Sequence, residues 1–144
     1  MEELVNRMKT ALATSFAFYL KAHNYHWNVQ GAQFSEFHKF FGEIYTEVFS
    51  AIDQIAEQIR VLDSFVPGSL QRFKELSTIT DEYNVPSAIV MVQRLQQDNQ
   101  RVIDDLTYAY LQAEKDKQYG LANFLQDRID VHNKYNWMLK AYQK

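Results

Sequence analysis

The sequence predicts an all-α domain: a four-helix bundle made of two antiparallel hairpins joined by a long crossover. Three observations carry that prediction. Apolar residues recur at helical rather than strand spacing in four long stretches. Only four glycines and two prolines punctuate the 144 residues, and all but Gly42 fall between or at the ends of those stretches. The outer two breaks are short, and the middle one is long.

Helix α1 is expected over about 3–29, with Leu4, Met8, Leu12, Phe16 and Tyr19 as its inner stripe, and Gly31 follows it. Helix α2 is expected over about 35–63, with Ser35 in the N-cap position. Its inner positions are Phe37, Phe41, Ile44, Val48, Ile52, Ile55 and Ile59, and Gly42 stands isolated in this pattern. After Pro67-Gly68 a short helix, α3, is expected over about 69–76. Pro86 opens the second half. There α4 is expected over about 87–115, with Ile89, Val92, Leu95, Val102 and Leu106 inward. Gly120 opens α5, expected over about 120–141, with Phe124, Leu125, Ile129 and Trp137 inward. Short turns make α1–α2 and α4–α5 antiparallel pairs. A link of about 23 residues between α2 and α4 is the ferritin-like crossover rather than a simple up-down connection. The fold class expected is therefore a ferritin-like four-helix bundle with a long crossover carrying a short helix, as one domain over 1–144.

Composition narrows the function. With 47% hydrophobic and 23% charged residues, the chain is neither disordered nor fibrous. The absence of cysteine removes disulfide frameworks, thiolate zinc sites and cysteine catalysis, and it fits a reducing compartment. The acidic start Met1-Glu2-Glu3-Leu4 lacks an apolar signal core, and no apolar run approaches the roughly 20 residues of a membrane span. A cytoplasmic location without membrane contact is expected. The net charge of −3 disfavours nucleic acid as a partner.

Asp53 and Glu57 lie four apart on α2, which puts both carboxylates on one face with apolar residues between them. Alone, such a pair is more often a solvated helix face. With imidazole nearby it suits a hard or borderline cation such as iron or zinc. His26, near the end of α1, and His38, near the start of α2, meet at one end of the first hairpin. A lone histidine there is usually a packing or capping residue, the reading preferred for His23 and His132. His38 and Asp53 are 15 residues apart on one helix, about 22 Å at roughly 1.5 Å per residue. The histidines and the carboxylates cannot hold one ion within a chain. In an antiparallel two-fold dimer, one chain's histidines would meet the other's Asp53 and Glu57, giving two identical sites. The alternative centre, inside the bundle, uses Glu-x-x-His on two helices, and no Glu here has His three residues on.

The segment Lys21-Ala22-His23-Asn24-Tyr25-His26-Trp27-Asn28-Val29-Gln30-Gly31 resembles the first-helix signature of the Dps family of mini-ferritins, with its H-W-N-V core. His26, His38, Asp53 and Glu57 fall on that family's histidine and acidic positions, and His132–Ala141 resembles its last helix. The resemblance implies a hollow dodecamer, built from two-fold dimers, that oxidises Fe(II) with hydrogen peroxide or oxygen and stores Fe(III) oxide. It implies a principal iron site of His26 from one subunit with Asp53 and Glu57 of its neighbour, these three being the catalytic residues. His38 belongs to a second, weaker position that Glu57 can bridge. Zinc or another divalent ion is expected to substitute for iron.

Two departures qualify the resemblance. The family's acidic residue four after the second histidine is Gly42 here, and the neighbouring Glu43 is rotated about 100° around the helix. The second position is therefore expected to be damaged and oxidation slowed, and Gly42→Asp to raise peroxide-driven oxidation. A non-catalytic or DNA-protecting cage is the alternative that Gly42 keeps open. The stretch Lys117–Asn123 lacks the acids that line the family's iron-entry pores; Asp127 and Asp130 lie further along, as pore residues or as a solvated face. Trp27 is either a partner of the iron site or a large core side chain, and Trp137 is structural. Some relatives bind DNA through basic tails, but here only Lys140 and Lys144 end the chain, and twelve copies at −3 each carry about −36. DNA binding therefore ranks below iron handling.

Overall fold

A computed structural model describes residues 1–144. It contains five helices and no strand: α1 Glu2–Asn28, α2 Phe34–Val61, α3 Leu70–Leu76, α4 Ala88–Lys115 and α5 Tyr119–Ala141. Every expected helix is present, within about two residues of its expected ends. The N-cap of α2 is Gln33, not Ser35, which lies inside the first turn and makes no capping bond. Ser69, by contrast, caps α3 by accepting from the Arg72 amide at 3.2 Å. Helices α2 and α4 each end on a left-handed residue, Asp63 (φ 62°) and Lys117 (φ 59°). The following amides then turn back onto helical carbonyls, Ser64 N–H to Ile59 at 3.3 Å and Gln118 N–H to Ala113 at 2.8 Å.

Paired side chains give the directions. Along α1 and α4, Arg7 meets the Tyr108 carbonyl, Thr14 meets Asp105 and Lys21 meets Asp98, so the two helices are antiparallel. Asn99 with His132 and Gln96 with Asn136 make α4–α5 antiparallel. Tyr19 with Tyr45 and His26 with His38 do the same for α1–α2. Helices α2 and α4 therefore run in the same direction, and α2 ends at the opposite end of the bundle from the start of α4. The link 62–87 must travel the length of a 28-residue helix, roughly 42 Å. It lies along α1 and α4. Phe73 of α3 packs on Phe16 with ring centroids 4.7 Å apart. The Thr78 amide donates to Thr14 at 3.1 Å, Lys21 donates to the Thr80 carbonyl at 2.6 Å, and Tyr25 donates to Glu82 at 2.7 Å.

The core is one cluster of 27 buried residues drawn from all four long helices. It departs from the expected stripes in a few places. On α1, Phe18 is fully buried, while Phe16 and Tyr19 are half-buried. Ile89 is exposed, as is Trp137 at 66% accessibility, so neither is an inner residue. Ile52, Phe124 and Ile129 are half-buried at the core's edge.

One polar network lies within this core. His132 is fully buried, edge-on to Phe18 and Tyr135. The Asn99 amide nitrogen donates to the His132 carbonyl at 2.8 Å, which turns its Oδ1 toward His132 Nδ1, also at 2.8 Å. Burial, with the Arg128 charge adding to it, holds the His132 imidazole well below its ordinary range. Above the unfolded-state value of about 6.5, both folded and unfolded states keep this ring neutral. Below it, the unfolded chain takes up a proton that the folded chain refuses, so stability falls as pH falls. Denaturant unfolding between neutral pH and pH about 5 is expected to lose up to roughly 1.4 kcal/mol per pH unit from this group, and His132→Gln is expected to flatten the slope by that amount.

Candidate metal centre

The structure brings the four site residues together as two separate pairs. His26 and His38 close the first hairpin reciprocally: His26 Nδ1 donates to the His38 carbonyl at 2.6 Å, and His38 Nδ1 donates to the His26 carbonyl at 2.7 Å. The local reason is helix-end chemistry. The carbonyls of the last turn of α1 have no intrahelical partner, and His38 satisfies one of them. A carbonyl only accepts, so the proton of each ring is fixed on Nδ1. That leaves Nε2 of each neutral ring with a free lone pair, which is how protein frameworks orient metal-binding histidines. The rings stack at 3.8 Å with 19° between planes.

Gly42 takes part in this geometry. The His38 carbonyl lies one turn before it on α2, so the His26 ring reaches that carbonyl by passing over residue 42. A Cβ there would sit 3.1 Å from both Cε1 and Nδ1 of His26. Besides omitting a carboxylate, Gly42 leaves the space that the imidazole fills. Glu43 is exposed on the neighbouring face of α2.

Asp53 and Glu57 form the second pair, exposed on α2. Their i,i+4 spacing puts them on one face of the helix. A hydrogen bond shared with Asp53 and repulsion from its charge raise the Glu57 carboxyl above its ordinary value. A cation between them would relieve that repulsion. Nowhere in a single chain do three His, Asp or Glu side chains converge as a metal site.

An aromatic wall stands beside His26. His23 is sandwiched between Tyr45, at 3.7 Å and 7°, and Trp27, at 3.8 Å, and its Nδ1 meets the Tyr19 hydroxyl at 3.0 Å. Tyr45 also lies 5.1 Å from the His26 ring. Trp27 is 59% exposed, so it is not a core side chain. Tyr45 was not singled out from sequence; its position three residues after Gly42, beneath a histidine of the facing helix, was the available signal. Asp127 and Asp130 are exposed on α5.

The ferritin-like domain family model matches residues 5–144. The DNA protection during starvation protein of Brevibacillus brevis is 31% identical over 140 residues, covering 96% of this chain and 91% of that protein. This chain belongs to the Dps branch of the ferritin-like family. Other Dps-type relatives agree in fold and length. The crystal structure of Dps from Vibrio cholerae, described as a member of a broad superfamily of ferritin-like diiron-carboxylate proteins, superposes with a TM-score of 0.95 at 28% identity, covering 99% of this chain and 90% of that one. Dps from Staphylococcus aureus gives 0.95 at 28% identity, covering 100% and 97%. An uncharacterised low temperature-induced protein of a Nostoc strain is 33% identical over 96% of this Dps-family chain and 79% of its own length.

Two substitutions at position 42 separate its steric role from its chemical one. Gly42→Ala is expected to displace the His26 ring and weaken divalent-ion affinity by about tenfold, the scale of losing a hydrogen bond that orients a metal-binding histidine. Gly42→Asp is expected to bind more tightly than Gly42→Ala, because its carboxylate offsets the crowding. Calorimetric titration with Zn(II) measures both.

Proposed function

We propose that the chain oxidises Fe(II) at two identical sites across a two-fold interface and stores the Fe(III) oxide in a hollow, dodecameric shell. Each site takes Nε2 of His26 from one subunit and the Asp53 and Glu57 carboxylates of its neighbour, with His38 at a weaker adjacent position. The observation that carries this reading is the division of the donors. Two tautomer-fixed imidazoles end one hairpin, two carboxylates share a face of α2 about four turns away, and neither pair forms a site alone.

The surface around the donors supports an interface. Trp27, Phe34 and Phe49 are 42–59% exposed near the donor pairs, a set of large apolar side chains that a partner subunit would cover. Membership of the Dps family supports iron as the substrate and a multimeric shell as the assembly. In the reaction each Fe(II) gives one electron to peroxide or oxygen, and the Fe(III) produced hydrolyses to oxide with release of protons. The roles of the protein are to bind and orient Fe(II) through oxygen and imidazole donors. Glu57 must lose its proton to bind, so affinity is expected to fall as pH drops through its raised value.

Fe(II) titration of the assembly followed by peroxide, with occupancy read by anomalous diffraction, tests the reading. One strong iron position per His26–Asp53–Glu57 set is expected, with its loss in His26→Ala, Asp53→Ala and Glu57→Ala. Iron only on the outer surface, or oxidation unchanged in all three variants, contradicts it. Gly42 favours a second reading, a protective cage without ferroxidase, which the absence of catalysed oxidation in the unaltered protein would establish. With its net negative charge, the shell is expected to leave DNA unretarded in a mobility-shift titration at physiological salt.

A further inference from the structure

The buried network around His132 sets an imidazole and a carboxylate against one guanidinium. Glu47 comes from α2, Arg128, His132 and Tyr135 come from α5, and Asn99 comes from α4. Asn99 is fixed by its own donation to the His132 backbone, so its Oδ1 takes the proton on His132 Nδ1. His132 Nε2 therefore presents a lone pair, and it faces Arg128 Nη2 at 3.2 Å. From the other side, Glu47 accepts from Nη1 and, at 3.2 Å, from Nη2 of the same guanidinium. Tyr135 donates its hydroxyl to Glu47 Oε1 at 2.8 Å. An imidazole locked by an outer-shell amide and a carboxylate held by a phenol both point at one positive charge in mid-bundle. Helical bundles build metal centres from facing side chains in this region.

The surroundings do not fully satisfy the guanidinium. Arg128 is 5% exposed, yet its Nε has no hydrogen-bond partner. Nor is the cage sealed: Glu47 is partly exposed and lines an open surface cavity of about 650 Å³ together with His26, Gly42 and Tyr45.

We propose that Arg128 occupies a latent divalent-cation site formed by Glu47 and His132, and that its guanidinium keeps metal out of the bundle interior. Imidazole with carboxylate selects borderline transition-metal ions such as Co(II), Zn(II) or Fe(II). The arginine supplies a permanent charge where an ion would bind, since it does not deprotonate in proteins. The consequence for the unaltered chain is that metal is confined to its outer faces and the shell interior.

Co(II) is the probe, and its visible d–d band reports coordination by protein ligands. The starting protein is the assembly carrying His26→Ala, His38→Ala, Asp53→Ala and Glu57→Ala, so the outcome does not depend on the interface centre. With Arg128 in place, no d–d band is expected. With Arg128→Ala, or with Arg128→Asp, which adds a carboxylate one turn from His132, uptake of one Co(II) per chain is expected. Adding His132→Ala should abolish the band, and adding Asn99→Ala should weaken binding by roughly tenfold to a hundredfold. If the Arg128 variants fail to fold in chelator, refolding on addition of Co(II) is the expected equivalent result. Absence of metal uptake and of metal-dependent folding in both Arg128 variants overturns the proposal, as does uptake that survives loss of His132.

Discussion

Helix α2 runs without a break from Phe34 to Val61 and carries three of the four proposed metal ligands. A continuous helix is a rigid spacer: the rise from His38 to Asp53 is about 22 Å, far beyond the reach of any side chain. The partition of the molecule follows from that length. Imidazoles gather at one end of the first hairpin, carboxylates lie further along the same helix, and exposed aromatic residues lie near both. The long crossover has the same origin, because parallel α2 and α4 require a link that returns along the bundle. That link is held to α1 by Thr14, Lys21 and Tyr25, and to α4 by Asp105 and Arg94.

The chemistry of the histidine end follows from helix termination. Carbonyls left unpaired at the end of α1 are met by a side chain of α2, and the return bond from His26 fixes both rings. Gly42 belongs to this arrangement, since its missing Cβ is the space the His26 ring uses. The same residue thus supplies no carboxylate and spares the His26 ring a tight contact. In mid-bundle the complementary situation holds, where a fixed charge on Arg128 fills the space between a carboxylate and a locked imidazole.

Much of this was legible in the sequence. Helical periodicity and the placement of Pro67-Gly68, Pro86 and Gly31 located every helix, and helix rise alone separated His38 from Asp53. The errors have physical causes. Helix α1 touches α2, α3 and α4, so nearly its whole circumference is covered along Ala11–Ser15, and a single-stripe reading chose Phe16 over Phe18. Ile89 and Trp137 fit the helical period yet face outward, because periodicity does not report which neighbour is present. The His132 network was invisible for another reason: its members lie on three helices, and Arg128 with Glu47 reads as two surface charges until the helices are packed. The steric role of Gly42 depends on a ring from another helix, so spacing along one chain could not reveal it.

The central claim is that each iron centre needs two chains, and subunit mixing tests it most directly. His26→Ala chains and Asp53→Ala chains are each expected to assemble without an intact centre. Dissociated together and reassembled, a mixed dimer has one interface site lacking both ligands and the other lacking neither. Recovery of Fe(II) binding and oxidation in the mixed assembly, in proportion to the mixed dimers formed, is the predicted result. No recovery in mixed assemblies whose composition is verified by mass spectrometry would contradict the account.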